Sequence, residues 1–451
     1  MTAPARTAAF HALRAVGGGR SELPAALATT RERLDDDRDR ALAADIVIGT
    51  MRWRRSLDFL IEHFARRTIK RIDADVLAIL QLSLYQILHL DRVPAAAVVD
   101  DAVDLARAAR KTSASGFVNA VLRTTLRERH RLPLPARPTT ADRSAAIAYL
   151  GITHSHPEWL VERWMDRLGF DAAEAWVRFN NEAPPLTIRA NRLRTDRDGL
   201  AAALATDDVE TAATRFSPDA LTVVTGNPLR RPLDGSFFVQ DEASQVVALM
   251  VGARPGERVL DLCAAPGGKT TMMAAAMQDA GVLVATDVRP RRVSLLRDTV
   301  RLSGATCIEV RDVPPAGALP FDLPFNRVLV DAPCSGLGTL RRDPDIRWRR
   351  QPDDIAALVR EEFMLLERAS AVVAPKGRVV YATCSSEPEE NDQVVDRFLA
   401  SHPEFTLVDL RNEVLPALLP LIDDRGMMRT LPHAHGLEAF FAAAVVRSAD
   451  A

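Results

Sequence analysis

Apolar positions recur at helical spacing from about residue 3 to 130. In "SLDFLIEHF", Leu57, Leu60, Ile61 and Phe64 stand at i, i+3, i+4 and i+7 and make one apolar face. The stretch Val76 to Leu90 is apolar nearly all round and predicts a central buried helix. Pro94 opens another helix as a first-turn residue, and Phe117, Val118, Val121 and Leu122 give the next its face. Residues 1–132 are therefore expected as an all-helical domain. Three prolines, Pro133, Pro135 and Pro138, then favour an extended linker over 133–149. Over 150–240 a helix start at Ser155-Pro157-Glu158 and an alternating run, Leu186, Ile188 and Ala190, predict a small α/β unit.

From residue 258 the pattern changes again. Short apolar runs, "RVLDL", "GVLVATD", "TCIEVRD", "RVLVDAP" and "RVVYATC", alternate with stretches of helix length, as buried strands of a parallel sheet do. Each run ends in a polar residue: Asp261, Asp287, Asp312, Asp331 and Thr383. Ligands of open α/β sheets bind beyond the carboxyl ends of the strands, so these residues should converge on one crevice in a domain spanning 241–451.

Composition narrows the function only a little. A chain of 451 residues exceeds what one core organises, which agrees with several domains. No long apolar span occurs, and Arg6 and Arg14 interrupt any apolar leader near the amino terminus, so a soluble cytoplasmic protein with no membrane partner is expected. Only Cys263, Cys307, Cys334 and Cys384 are cysteines, without zinc-type spacing, so neither a metal nor a structural disulfide is expected. The net charge of −2 is neutral on nucleic-acid binding, which depends on where basic groups cluster. Of 58 basic residues only Lys70, Lys111, Lys269 and Lys376 are lysines, which draws attention to each.

The first strand runs into "LDLCAAPGGKTT", a small-residue turn into a helix whose amides favour a polar or anionic group. A Walker A loop would need glycine where Cys263 stands, and a dinucleotide fingerprint is missing, so ATP hydrolysis and dinucleotide chemistry recede. Asp287 still stands where a ribose diol would be held, and Asp312 could take the adenine end, so S-adenosylmethionine fits. Taken singly, either acid reads as a strand-terminal turn residue; it is the two together, behind this loop, that point to the cofactor.

Cys307, inside "TCIEV", reads as a small buried hydrophobe. Cys334 and Cys384 each follow a strand end, flanked by loop formers. They could be a redox pair, a metal pair, or a nucleophile and its helper. The third option meets a specific need. Carbon 5 of cytosine is too weak a nucleophile to attack a methyl sulfonium until a thiolate adds to carbon 6, and a second group must then remove the carbon-5 proton. Asp331 could hold the N3 and N4 edge of the base. Amino-group methylation would want a second proline and an aromatic where "DAPC" stands.

"FVQDEASQ" (238–245), "DLCAAPGGKT" (261–270), "DAPCSGLGTLRRDPDIRW" (331–348) and "YATCSSEPEEN" (381–391) together resemble the Rsm/Nop/Sun RNA cytosine-5 methyltransferases. "DRDRALAADIVIGTMRWRRSLDFLI" resembles the NusB-like domain that marks the RsmB-type branch, whose members act on 16S ribosomal RNA. The resemblance covers nearly the whole chain. It implies a NusB-like helical domain, a small RNA-recognition-like unit and a seven-stranded Rossmann-like methyltransferase domain. It implies Cys384 as nucleophile and Cys334 as the residue that assists release, with Asp331 and Lys269 beside them. Cys263, Ala264, Ala265, Pro266, Gly267, Gly268 and Lys269 match the cofactor loop, and Asp287, Asp312 and Asp331 the other residues for S-adenosylmethionine or the target base. One departure is Glu438-Ala439 before Phe440-Phe441, where an aspartate-glycine pair is usual.

"MRWRR" (51–55), "FARRTIKR" (64–71) and "RRDPDIRWRR" (341–350) combine basic residues with aromatics and are candidate RNA contacts, with Trp348 a stacking platform for a base. For the first two runs, a solvated charged face is an equal reading. The function expected is methylation of a cytosine in 16S ribosomal RNA by a monomer. A transfer RNA target, and an RNA-binding assembly factor with a vestigial methyltransferase fold, are the alternatives.

Overall fold

The structure is a computed structural model and describes residues 3–139, 142–230 and 234–449. The chain divides into two compact units, Met1–Glu182 with Leu340–Arg349, and Ala183–Thr339 with Arg350–Ala451. No helix among the described residues is long and apolar enough to cross a membrane.

The first unit is helical, as the spacing predicts. Helix Ala74–His89 is its centre, with Ile79, Leu80, Leu82 and Leu84 fully buried, and the Asp73 carboxylate caps its first turn. Helix Asp37–Arg52 crosses it at Gly49, where a Cβ would stand 1.9 Å from Cζ of Tyr85, so only glycine permits the approach. Leu57, Leu60 and Ile61 are buried as expected, and Phe64 packs at the margin of the same core.

One expectation about the linker needs correction. The 133–149 stretch is not linker throughout: Arg143–Ala148 is helical, capped by Asp142, because the last proline stands at position 138 and nothing bars a helix beyond it. Residues 140 and 141 lie outside the described residues. Helices Glu158–Leu168 and Phe170–Asn181, inside the expected 150–240 stretch, pack with the first compact unit. They stack on each other through Trp164 and Trp176, with ring centroids 5.2 Å apart. Arg55 ties the preceding turn to the helical core through Ser155 Oγ at 3.0 Å and the His156 carbonyl at 2.8 Å.

The second unit holds two sheets. The small one is antiparallel, built from β1 (Thr187–Ala190), β2 (Glu210–Ala213), β3 (Ala220–Thr225) and β4 (Phe237–Val239) in the order β2-β3-β1-β4. The large one comprises β5 (Arg258–Asp261), β6 (Val282–Asp287), β7 (Ile308–Asp312), β8 (Phe325–Asp331), β9 (Val373–Thr383), β10 (Phe405–Leu407), β11 (Met428–Arg429) and β12 (Phe441–Arg447). Seven of these run in the order β10-β12-β9-β8-β5-β6-β7, with β11 paired to β12. Strands β5 to β9 pair in parallel and β12 runs antiparallel to β9. The polar residues expected to end five strands do so: Asp261, Asp287, Asp312, Asp331 and Thr383 are the last residues of β5, β6, β7, β8 and β9. The chain order reverses between β5 and β8, where open sheets open a crevice.

Candidate active site

β8 and β9 lie in parallel register with Asp331 opposite Ala382, so the loops that leave them start side by side. This brings Cys334 and Cys384 together: their sulfurs are 3.2 Å apart, and the Cys384 amide donates to Cys334 Sγ at 3.3 Å. The hydrogen bond with Cys384, and then burial, push the Cys334 thiol well above the ordinary thiol range. Cys334 thus keeps its proton while its neighbour is the sulfur it bonds to.

Gly338 closes the first loop onto the second. Its amide donates to the Cys384 carbonyl at 2.9 Å, and its own carbonyl accepts from the Ala439 amide at 2.9 Å. A Cβ there would lie 1.9 Å from the Ala439 oxygen. The Glu438-Ala439 departure therefore sits at this contact, and the backbone bond it makes is indifferent to side-chain identity. Arg350 grips the same loop from the other side, donating to the Ser335 carbonyl at 2.9 Å and the Cys334 carbonyl at 3.3 Å.

The loop after β5 turns through Cys263, Ala264, Ala265, Pro266 and Gly267 into helix Gly268–Ala276, with a cis bond between Ala265 and Pro266. Gly267 has a φ of 108°, and a Cβ there would press on Leu296 and Thr299. Burial pushes the Cys263 thiol upward, so this cysteine stays protonated. Burial and Asp279 push Cys307 up to about 12, in keeping with its reading as an inert buried thiol. Lys269 Nζ donates to Asp331 Oδ2 at 2.7 Å and stands 5.6 Å from the centroid of the Phe440 ring. Burial alone would lower the lysine's pKa, but the charge of Asp331 and its hydrogen bond outweigh it, and the ammonium is retained.

Asp287 is paired to Arg292 at 3.1 Å, and Arg292 also donates to the Ala265 carbonyl at 2.6 Å, so it links the loop after β5 to the end of β6. Asp312 stands beside Asp287 by strand register, but its side chain is exposed and meets Arg297 at 3.6 Å. Asp261 accepts from Thr270 at 2.7 Å with one oxygen, while the other is buried without a partner. Burial pushes its carboxyl up to about 7, against the bond from Thr270.

These groups suit S-adenosylmethionine. Asp261, Asp287 and Asp331 end three adjacent strands, the last two paired to Arg292 and Lys269, and their carboxylate oxygens, with the unpartnered Asp261 oxygen among them, can accept from a ribose diol or an ammonium group. Among the described residues no group of His, Cys, Asp and Glu is arranged to hold a metal ion.

Sequence reasoning missed Glu390, Gly338, Arg292 and Arg350. The "PEEN" string flagged Glu390 only as part of a motif, with nothing to say what it touches. It also misread one basic run. Arg347 is fully buried in the helical unit, donating to the Ser155 carbonyl at 3.0 Å and Asn181 Oδ1 at 3.0 Å. Trp348 packs on the helical core and donates to the Met51 carbonyl at 2.6 Å, so it is not a free platform for a base. In "MRWRR", Arg52 is buried and Trp53 stacks on His89 at 4.6 Å. In "FARRTIKR", Arg66, Arg67, Lys70 and Arg71 are exposed.

An open sheet with a small-residue turn after its first parallel strand, acids ending the strands around it and paired thiols beyond two adjacent strands defines a Rossmann-like methyltransferase. The matches across the chain are to 16S rRNA methyltransferase RsmB/F over 248–446, the NusB family over 3–127, and the RsmF/B-like ferredoxin-like domain over 156–230. The chain belongs to this RsmB/F family. A probable ribosomal RNA small subunit methyltransferase B of Bacillus subtilis is 33% identical over 410 residues, 90% of both chains. The ribosomal RNA small subunit methyltransferase B of Pseudomonas putida is 35% identical over 412 residues, 90% of this chain and 92% of its own. The crystal structure of PH0851 superposes with a TM-score of 0.80 at 27% identity over 99% of both chains.

Proposed function

We propose that the protein methylates carbon 5 of a cytosine in 16S ribosomal RNA, with Cys384 as nucleophile and Cys334 as the group that takes the carbon-5 proton. The observation that carries this reading is the 3.2 Å separation of two thiols at the tips of adjacent strands. Bound S-adenosylmethionine supplies an electrophilic methyl group. Cys263 to Lys269, Asp287 and Asp312 would hold it, and Asp331 would face the base with Lys269 fixing its carboxylate at 2.7 Å.

The thiols divide the work through their own bond. Cys384 attacks carbon 6, which raises electron density at carbon 5 for methyl transfer. Once Cys384 is a thioether its sulfur is an uncharged, weak acceptor, so the bond that contributes most to raising the Cys334 pKa is weakened. Cys334 then gives its proton to solvent more readily, and its thiolate takes the carbon-5 proton as the carbon–sulfur bond breaks and Cys384 leaves as a thiolate. Ribosomal rather than transfer RNA is favoured by the matches to 16S rRNA methyltransferase RsmB/F and to the NusB family. The exposed Arg66, Arg67, Lys70 and Arg71 offer phosphate contacts on the helical unit. Nucleoside analysis after incubation with cofactor and unmodified 16S RNA should show 5-methylcytidine; a different methylated nucleoside would overturn the reading.

A further inference from the structure

A buried carboxylate joins the two loops that carry the paired thiols. Glu390 is fully buried. One of its oxygens accepts from the Ser335 amide at 2.6 Å; the other accepts from the Ser335 hydroxyl at 2.6 Å and from the Ser385 hydroxyl at closer range. Ser335 follows Cys334, and Ser385 follows Cys384. One carboxylate thus grips the residue next to each cysteine, from two loops separated by fifty positions of chain. Its own place is set in turn: the Tyr381 hydroxyl donates to the Glu390 carbonyl at 2.5 Å, and Asn391 accepts from Thr383 at 2.5 Å and donates to the Ser385 carbonyl at 3.1 Å.

We propose that Glu390 is a positioning residue that holds the Cys334 and Cys384 thiols at their working separation by clamping the two loops through Ser335 and Ser385. The clamp needs a carboxylate. Three donors converge on two oxygens, which an ionised acid accepts without conflict, whereas an amide offers one oxygen and turns two N–H groups toward donors. Burial, and then Glu390, push the carboxyl of the second buried acid at this place, Glu362, well above the ordinary range, so Glu362 stays neutral beside the thiols. The consequence for methylation rests on both thiols acting in the reaction, but the separation itself does not.

The separation can therefore be read without RNA or cofactor. Diamide takes two electrons and two protons from a pair of thiols, leaving one disulfide and the reduced hydrazine, at a rate that depends on how well the sulfurs are held together. Peptide mapping by mass spectrometry follows the Cys334–Cys384 disulfide in the full chain and keeps Cys263 and Cys307 apart from it. The wild type should form this disulfide quickly, and Glu390→Gln more slowly by about tenfold or more, with the cofactor dissociation constant unchanged. If Glu390→Gln does not fold, the double variant Ser335→Ala/Ser385→Ala removes the hydroxyl arms and should slow the disulfide in the same way. Equal rates in variant and wild type, or no such disulfide in the wild type, would overturn the clamp. A slowed disulfide with undiminished methylation would support the clamp and count instead against the two-thiol reaction.

Discussion

Replacing Glu362 by glutamine should make the methyltransferase unit more stable, and by an amount that grows with pH. Glu362 sits fully buried on helix Pro352–Ser370. Burial, and then the charge of Glu390, push its carboxyl from the ordinary 4.5 up to about 10. Between those values the folded protein holds a proton that the unfolded chain has lost. The folded state binds more protons, so stability falls as pH rises through this window. At pH 8 the gap from 4.5 is 3.5 pH units, and at about 1.4 kcal/mol per unit the carboxyl costs up to about 5 kcal/mol. At pH 5 the gap is half a pH unit and the cost is under about 1 kcal/mol. Glutamine keeps the shape and has no proton to lose, so Glu362→Gln removes the slope. For a unit of this size each kcal/mol moves the melting temperature by roughly 2 °C, so the variant should melt roughly 10 °C above wild type at pH 8 and within about 2 °C of it at pH 5. Thermal melts at the two pH values measure this. A difference independent of pH, or a variant less stable at pH 8, would refute the assignment of that proton to Glu362.

Gly338→Ala should cut methylation by about 10²-fold with little change in cofactor affinity, because a Cβ 1.9 Å from the Ala439 oxygen must displace the loop that carries Cys334; single-turnover kinetics beside a cofactor titration check this. Lys269→Met leaves the Asp331 carboxylate without its partner at 2.7 Å, and should cost about 3 kcal/mol of stability in denaturant melts as well as most activity. Gly49→Ala places a methyl group 1.9 Å from Tyr85 Cζ and should destabilise the helical unit by about 1–3 kcal/mol, leaving the cofactor dissociation constant unchanged.

Much of the catalytic sheet is legible in the sequence because buried parallel strands are apolar runs that must end in something polar, and the five endings at Asp261, Asp287, Asp312, Asp331 and Thr383 all stand where the runs stop. The helical unit is legible for the same reason at a different period, as Leu57, Leu60 and Ile61 illustrate. Failures came where meaning depends on distant partners. Arg347 and Trp348 look like an RNA-binding run until Ser155, Asn181 and Met51 are found around them. Charge in a sequence carries no sign of burial when the acceptors are backbone carbonyls. Glu390 was hidden in the same way, since Ser335 lies 55 positions before it. Trp164 and Trp176 suit any apolar interface in the sequence, and only their stacking shows that they serve each other.

The division of labour between the thiols is tested most directly by a denaturing gel of wild type, Cys334→Ala and Cys384→Ala, each incubated with S-adenosylmethionine and unmodified 16S RNA. Cys334→Ala alone should leave a slow-migrating covalent RNA adduct, because Cys384 still attacks and nothing takes the carbon-5 proton. An adduct with Cys384→Ala instead, or none with Cys334→Ala while the wild type methylates the RNA, would contradict it.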